Sequence, residues 1–129
     1  MAKLLIFDDD ENKSRWFLFD EDTEVKINYL SRTELKKINA KSMKAGRLTK
    51  GDVLDYSNVL LGRKAVSDWR KKDDHAHPGL IVKGQPLPFN QGNLDMLMTK
   101  STEFSRFVND ICTDASLFDE EDEAQIKND

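Results

Sequence analysis

The chain has 129 residues, 38% of them hydrophobic and 34% charged, with a formal net charge of −4. That length suits one domain around one core, and seven Phe, two Trp and two Tyr supply the large side chains for it, which excludes wholesale disorder. No apolar run approaches the roughly 18 residues of a membrane span, and a single cysteine, Cys112, excludes an internal disulfide framework.

At the start, Met1-Ala2-Lys3-Leu4-Leu5-Ile6-Phe7 runs directly into Asp8-Asp9-Asp10-Glu11, without the longer apolar stretch and small-residue cleavage site of a secretory signal. The expectation is a soluble protein of a reducing, cytoplasmic compartment, with no membrane partner. Leu4 to Phe7 can form a short strand. Arg15-Trp16-Phe17-Leu18-Phe19 is aromatic-rich, and Val25-Lys26-Ile27-Asn28-Tyr29 alternates apolar with polar. Asp20-Glu21-Asp22-Thr23 between them is a polar turn, so these segments predict a hairpin with Val25, Ile27 and Tyr29 on one face.

Helix starts are marked by capping patterns. Ser31 with Glu34 forms a capping box, stapled by Leu30 and Leu35; Thr49 with Asp52, and Asn90 with Asn93, repeat the arrangement. The first helix, about residues 32–44, buries only a thin stripe of Leu35, Ile38 and Met43. The second is expected from near Lys50 to Arg70, because Val53, Tyr56, Leu60, Leu61, Ala65 and Trp69 fit a 3.6-residue period. Asp73-Asp74-His75-Ala76-His77-Pro78-Gly79 ends it. Residues 80–89 read as two short strands around Lys83-Gly84, kept at an edge by Pro86 and Pro88. A short third helix holds Leu94, Leu97 and Met98. The fourth has the cleanest pattern, with Phe104, Phe107, Val108, Ile111, Cys112 and Ala115 on one stripe. Residues 119–129 lose periodicity and read as an acidic mobile tail after a single domain over residues 1–118.

Catalysis needs convergent polar groups, and candidates are scarce. His75 and His77 beside Asp73 and Asp74 can be imagined around a metal, but a polar loop is the better account because no other histidine exists. Cys112 falls on an apolar stripe and reads as a buried structural thiol. The acids at residues 8–11 lack the alternating ligands and turn glycine of a calcium loop, and no phosphate-cradling glycine loop occurs. No catalytic residue, metal site or cofactor is expected, and the chain is read as a non-enzyme.

Charge is uneven. Residues 32–50 hold seven basic side chains against Glu34, and residues 119–129 hold six acids against Lys127. The two segments can attract each other, or each can face a partner. Lys36, Lys37, Lys41 and Lys44 are candidate contacts on the basic stretch. A nucleic-acid module there is the less favoured account, since the segment has no aromatic platform. The remaining class is a partner-binding module, with Trp16, Trp69, Phe89 and Phe104 as apolar candidates.

The order of pieces resembles a known family. A hairpin leads into Tyr29-Leu30-Ser31-Arg32-Thr33-Glu34-Leu35, then Leu60-Leu61-Gly62-Arg63-Lys64-Ala65-Val66-Ser67-Asp68-Trp69 follows. Next come Gly79-Leu80-Ile81-Val82-Lys83-Gly84-Gln85-Pro86-Leu87-Pro88-Phe89-Asn90 and Asn93-Leu94-Asp95-Met96-Leu97-Met98, and finally Phe104-Ser105-Arg106-Phe107-Val108-Asn109-Asp110. Over residues 25–118 this resembles the tail assembly chaperones of long-tailed, non-contractile phages (siphophages) and their prophages.

The resemblance implies a mostly helical protein that binds the tail tape measure protein and keeps it soluble until the tail tube polymerises. It also implies absence from the finished virion, and a longer frameshifted form that recruits the tail tube protein. Homo-oligomers are compatible with such a role. The alternative within phage assembly is another small morphogenesis protein, such as a head–tail completion factor.

The expected fold is α+β and mainly α: about four helices, an N-terminal β-hairpin and a short central hairpin. The expected core is Ile27, Tyr29, Leu35, Ile38, Leu60, Leu61, Trp69, Leu94, Leu97, Phe107, Val108 and Ile111.

Overall fold

The computed structural model describes residues 2, 4–7, 13–49 and 53–119, with backbone alone for 47–49 and 53–54. Strands β1 (Ser14–Leu18) and β2 (Thr23–Asn28) form the N-terminal hairpin, in register from Ser14 opposite Asn28 to Leu18 opposite Glu24. Asp20 sets the turn, since its Oδ1 accepts from the backbone N–H groups of Asp22 and Thr23 at 2.9 and 2.8 Å. On β2 the alternation reads directly as burial: Thr23, Val25 and Ile27 are buried and the residues between them are not. Helix α1 (Arg32–Thr49) opens on Ser31, whose Oγ accepts from Glu34 N–H at 3.2 Å.

Beyond these come α2 (Val53–Ala65), β3 (Val66–Lys71), the tight hairpin β4 (Ile81–Val82) and β5 (Gln85–Pro86), α3 (Gln91–Lys100) and α4 (Thr102–Cys112). A 3-10 turn over Ala115–Phe118 closes the described chain. The fold is α+β, mainly α, with four helices, the N-terminal hairpin and a short second hairpin, as the patterning implied. Lys83 and Gly84 take φ of 52° and 78°, the doubly left-handed pair of a tight two-residue hairpin. Asn90 caps α3, accepting from Asn93 N–H at 2.8 Å.

Several expectations are corrected. Leu4 to Phe7 is not a strand; Phe7 packs edge-on against Tyr29, centroids 5.2 Å apart. The third strand of the sheet is β3, where a helix was expected to continue to Arg70. The order is β1-β2-β3, so β2 is central and antiparallel to both neighbours. The cause of the misreading is a β-bulge. Val25 pairs with Trp69 and Ile27 with Val66, so Ser67 is an extra residue in β3. In a regular strand residues three apart face opposite ways; here the bulge turns both Val66 and Trp69 to the core, reproducing helical spacing.

Helix α1 runs on to Thr49 rather than stopping near Lys44. Gly46 has no proline or capping partner to end it, and alone weakens a helix by about 1 kcal/mol. The described helix reaches Thr49, and the expected cap that Thr49 would share with Asp52 lies partly outside the described residues. Met43 is exposed, and Ser42 takes the buried place, its Oγ donating to the Ile38 carbonyl at 2.8 Å. Tyr56 is also largely exposed. Ala115 lies in the 3-10 turn, beyond the end of α4. Residues 120–129, most of the expected acidic tail, lie outside the described residues.

The core joins the sheet's inner face to α2, α3 and α4, with Phe104, Phe118, Ile27, Met98, Val25 and Val108 among its fully buried side chains. Aromatic contacts run through it: Trp69 packs edge-on against Phe104 and Phe89, and Phe118 tilts or stacks edge-on against Tyr29 and Phe17. Tyr29, Leu35, Leu60, Phe107 and Ile111, expected inside, are partly buried around it.

Candidate docking surfaces

A groove of about 580 Å³ lies between the β4–β5 hairpin and the elbow joining α3 to α4. Its apolar lining is Phe19, Leu80, Ile81, Val82, Met96, Leu97 and Phe104, with Lys83, Lys100 and Glu103 supplying charge. Ser101 makes the elbow rigid. Its backbone N–H donates to the Leu97 carbonyl at 2.9 Å, ending α3, while its Oγ accepts from Phe104 N–H at 3.1 Å, starting α4.

The other wall is held equally firmly. Trp69 Nε1 donates to the Leu87 carbonyl at 2.7 Å, and Leu87 N–H donates to the Leu80 carbonyl at 2.8 Å. Gly79, at φ 82°, turns the chain into the hairpin, and its carbonyl accepts from Thr23 Oγ1 at 3.2 Å. Ile81 projects from this wall with 61% of its surface exposed. An apolar trough with separated charges is chemically suited to the apolar stripe of an amphipathic helix.

A second cleft, about 420 Å³, is polar: Asp55, Asn58, Thr99, Thr102, Ser105, Arg106, Asn109 and Asp110 line it with Met98. Ser105 Oγ donates to the Thr102 carbonyl at 3.3 Å, within its own helix turn.

The sequence-derived candidates do not converge on one place. Lys36, Lys37, Lys41 and Lys44 are exposed on α1, on the side away from buried Ile38 and Ser42. Trp69 and Phe104 both belong to the core, and Phe104 also lines the floor of the groove. They are 2% and 1% exposed and serve the core, because a small fold gives its largest rings the most complete burial available. Phe89 is partly buried against the Trp69 ring, centroids 4.9 Å apart. Trp16 sits on the outer sheet face under the Arg70 guanidinium, 3.7 Å from its ring centroid, and Arg70 Nε bonds Glu24 at 3.0 Å.

Sequence reasoning missed Ile81, Phe19 and Met96 as a shared surface. The available signal was the run Leu80-Ile81-Val82, in which strand alternation must point Ile81 away from buried Leu80.

The histidine segment is a self-satisfied turn. Lys71 N–H donates to the His77 carbonyl at 2.7 Å, His77 N–H donates to the Asp74 carbonyl at 2.9 Å, and His77 Nδ1 accepts from Gly79 N–H at 2.9 Å. Among the described residues no group of three His, Cys, Asp or Glu is placed to hold a metal ion. Burial pushes the Cys112 thiol up to about 12. Among the described residues no helix is long and apolar enough to cross a membrane. Comparison with protein-family models, with curated proteins and with solved structures finds no match.

Proposed function

We propose that this chain is a non-enzymatic tail assembly chaperone of a siphophage or prophage, acting in the bacterial cytoplasm and absent from the finished virion. Its client is the tape measure protein, a long helical chain whose apolar stripe must stay covered until the tail tube forms around it. The motif order over residues 25–118 suggests the family, and the observation that carries the geometry is the apolar groove with Ile81 at its wall. Each side chain a client helix buries there contributes roughly 1.5–3 kcal/mol before ordering costs. Several copies along one client add avidity to weak individual contacts.

The test is co-expression with the tape measure protein encoded beside this chain. Wild type keeps the client soluble and co-purifies with it. Ile81→Asp places a charge on the groove wall at an exposed position, so its melting temperature stays at the wild-type value while client recovery falls. A client that stays insoluble with both the short and any longer frameshifted form rejects the proposal. Finding the chain in purified virions by mass spectrometry would instead favour a completion factor.

A further inference from the structure

His77 holds the root of the β4–β5 hairpin through a ring nitrogen. Its Nδ1 accepts from Gly79 N–H at 2.9 Å, across Pro78, which has no N–H to offer. Among the described residues this is the one acceptor that Gly79 N–H has.

The same turn recurs elsewhere in the chain with oxygen in place of nitrogen. Asp20, Asp74 and Asp114 each accept through Oδ1 from the backbone N–H two residues on, at 2.9, 3.2 and 3.0 Å. Histidine differs because its δ atom takes up a proton near neutral pH. To accept, Nδ1 must be bare, so the neutral ring carries its proton on Nε2. A second proton turns Nδ1 into a donor facing a donor.

What depends on this bond is one wall of the groove. Gly79 sits at φ 82°, its carbonyl accepts from Thr23 Oγ1 at 3.2 Å, and the chain then enters Leu80 and Ile81. A Cβ on Gly79 would lie 3.0 Å from the Arg70 backbone, so the turn is seated closely on β3. Leu87 N–H returns to the Leu80 carbonyl at 2.8 Å and closes the hairpin.

Charges of both signs surround the ring. Its own turn supplies Lys72, Asp73, Asp74 and His75. From β3 come Lys71, whose N–H donates to the His77 carbonyl, and Arg70 with its partner Glu24 on β2. The β1–β2 turn adds Asp22, whose carbonyl accepts from Lys72 N–H at 2.7 Å. With the signs mixed, loss of the acceptor is what separates the two charge states of the ring.

We propose that His77 is a pH-sensitive latch on the groove. The neutral ring fixes Gly79 and the β4–β5 wall, and protonation releases both, so the wall loosens in acid. The latch acts on the groove's geometry, whatever the groove binds.

NMR on the full chain follows it without a client. From about pH 7.5 to about pH 5, across the range in which histidine charges, the Gly79 amide proton is expected to move upfield in step with titration of the His77 ring. Hydrogen-exchange protection of the Leu87 amide, corrected for the intrinsic rate, falls about two- to tenfold, the worth of one neutral hydrogen bond. In His77→Asn an Oδ1 takes the Nδ1 place, as in the three aspartate turns, so the bond persists and both responses flatten. His75→Asn changes an exposed ring and leaves both responses intact.

The latch is refuted if the His77 ring titrates while Gly79 and Leu87 stay unchanged. It is equally refuted if His77→Asn keeps the wild-type response, or if the response disappears with His75.

Discussion

Cys112 shows how one buried side chain fixes a pH response. Its Sγ lies in the core with Val108 and Phe104, and burial raises its pKa from 9.0 to about 12. Below about pH 9 the folded and unfolded thiols both hold their proton, and stability is unaffected. Between pH 9 and 12 the unfolded chain releases the proton and the folded chain keeps it. The unfolded state then binds fewer protons, so stability falls with rising pH by up to about 1.4 kcal/mol per unit. Comparing urea unfolding of wild type and Cys112→Ala cancels the lysine contributions. The wild-type advantage is expected to shrink by up to about 2 kcal/mol between about pH 8 and about pH 10.5. An advantage that is constant with pH would mean the thiol is solvated.

At the next scale the decisive feature is the switch from α2 into β3 without a glycine or proline. Asn28, at the end of β2, makes it. Its Nδ2 donates to the Lys64 carbonyl at 3.0 Å, satisfying one of the orphan acceptors of the helix end, and exchanges hydrogen bonds with Ser67 Oγ at the bulge. Asn28→Ala is expected to cost about 1–2 kcal/mol, the loss of a helix-terminal acceptor's partner plus a side-chain pair. Hydrogen exchange should show faster opening at Leu61 to Ala65 while β1–β2 pairing stays protected. Unchanged exchange there would mean that the sheet alone ends α2. The β1–β2 hairpin, α3 and the start of α1 were legible because turn, cap and period lie within a few residues of each other. The end of α2 was not legible, because its capping residue lies 36 positions away.

For the molecule as a whole, Trp69 is the joint between sheet, hairpin and helices. Its ring packs on Phe104 of α4 and on Phe89, and its Nε1–H holds the Leu87 carbonyl. Trp69→Ala is expected to destabilise by about 3–5 kcal/mol, from the cavity and the orphaned carbonyl. Thermal unfolding should show it directly, and loss of the groove wall should reduce client recovery even below the variant's melting point. A loss under about 1 kcal/mol would place Trp69 outside the core.

Local information was enough for the α+β class, the amphipathic face of α4 and the basic strip of α1, because periods of 2 and 3.6 and capping pairs are properties of short segments. Tertiary pairing decided the rest. The central strand β2 needed a second neighbour, and the bulged segment 66–71 supplied it, overriding a spacing that also fits a helix. The same pairing buried Trp69, while packing of α4 against the Trp69 and Phe19 rings buried Phe104. Ile81 was left as the projecting apolar residue of the groove, because burial is settled by which elements meet in space.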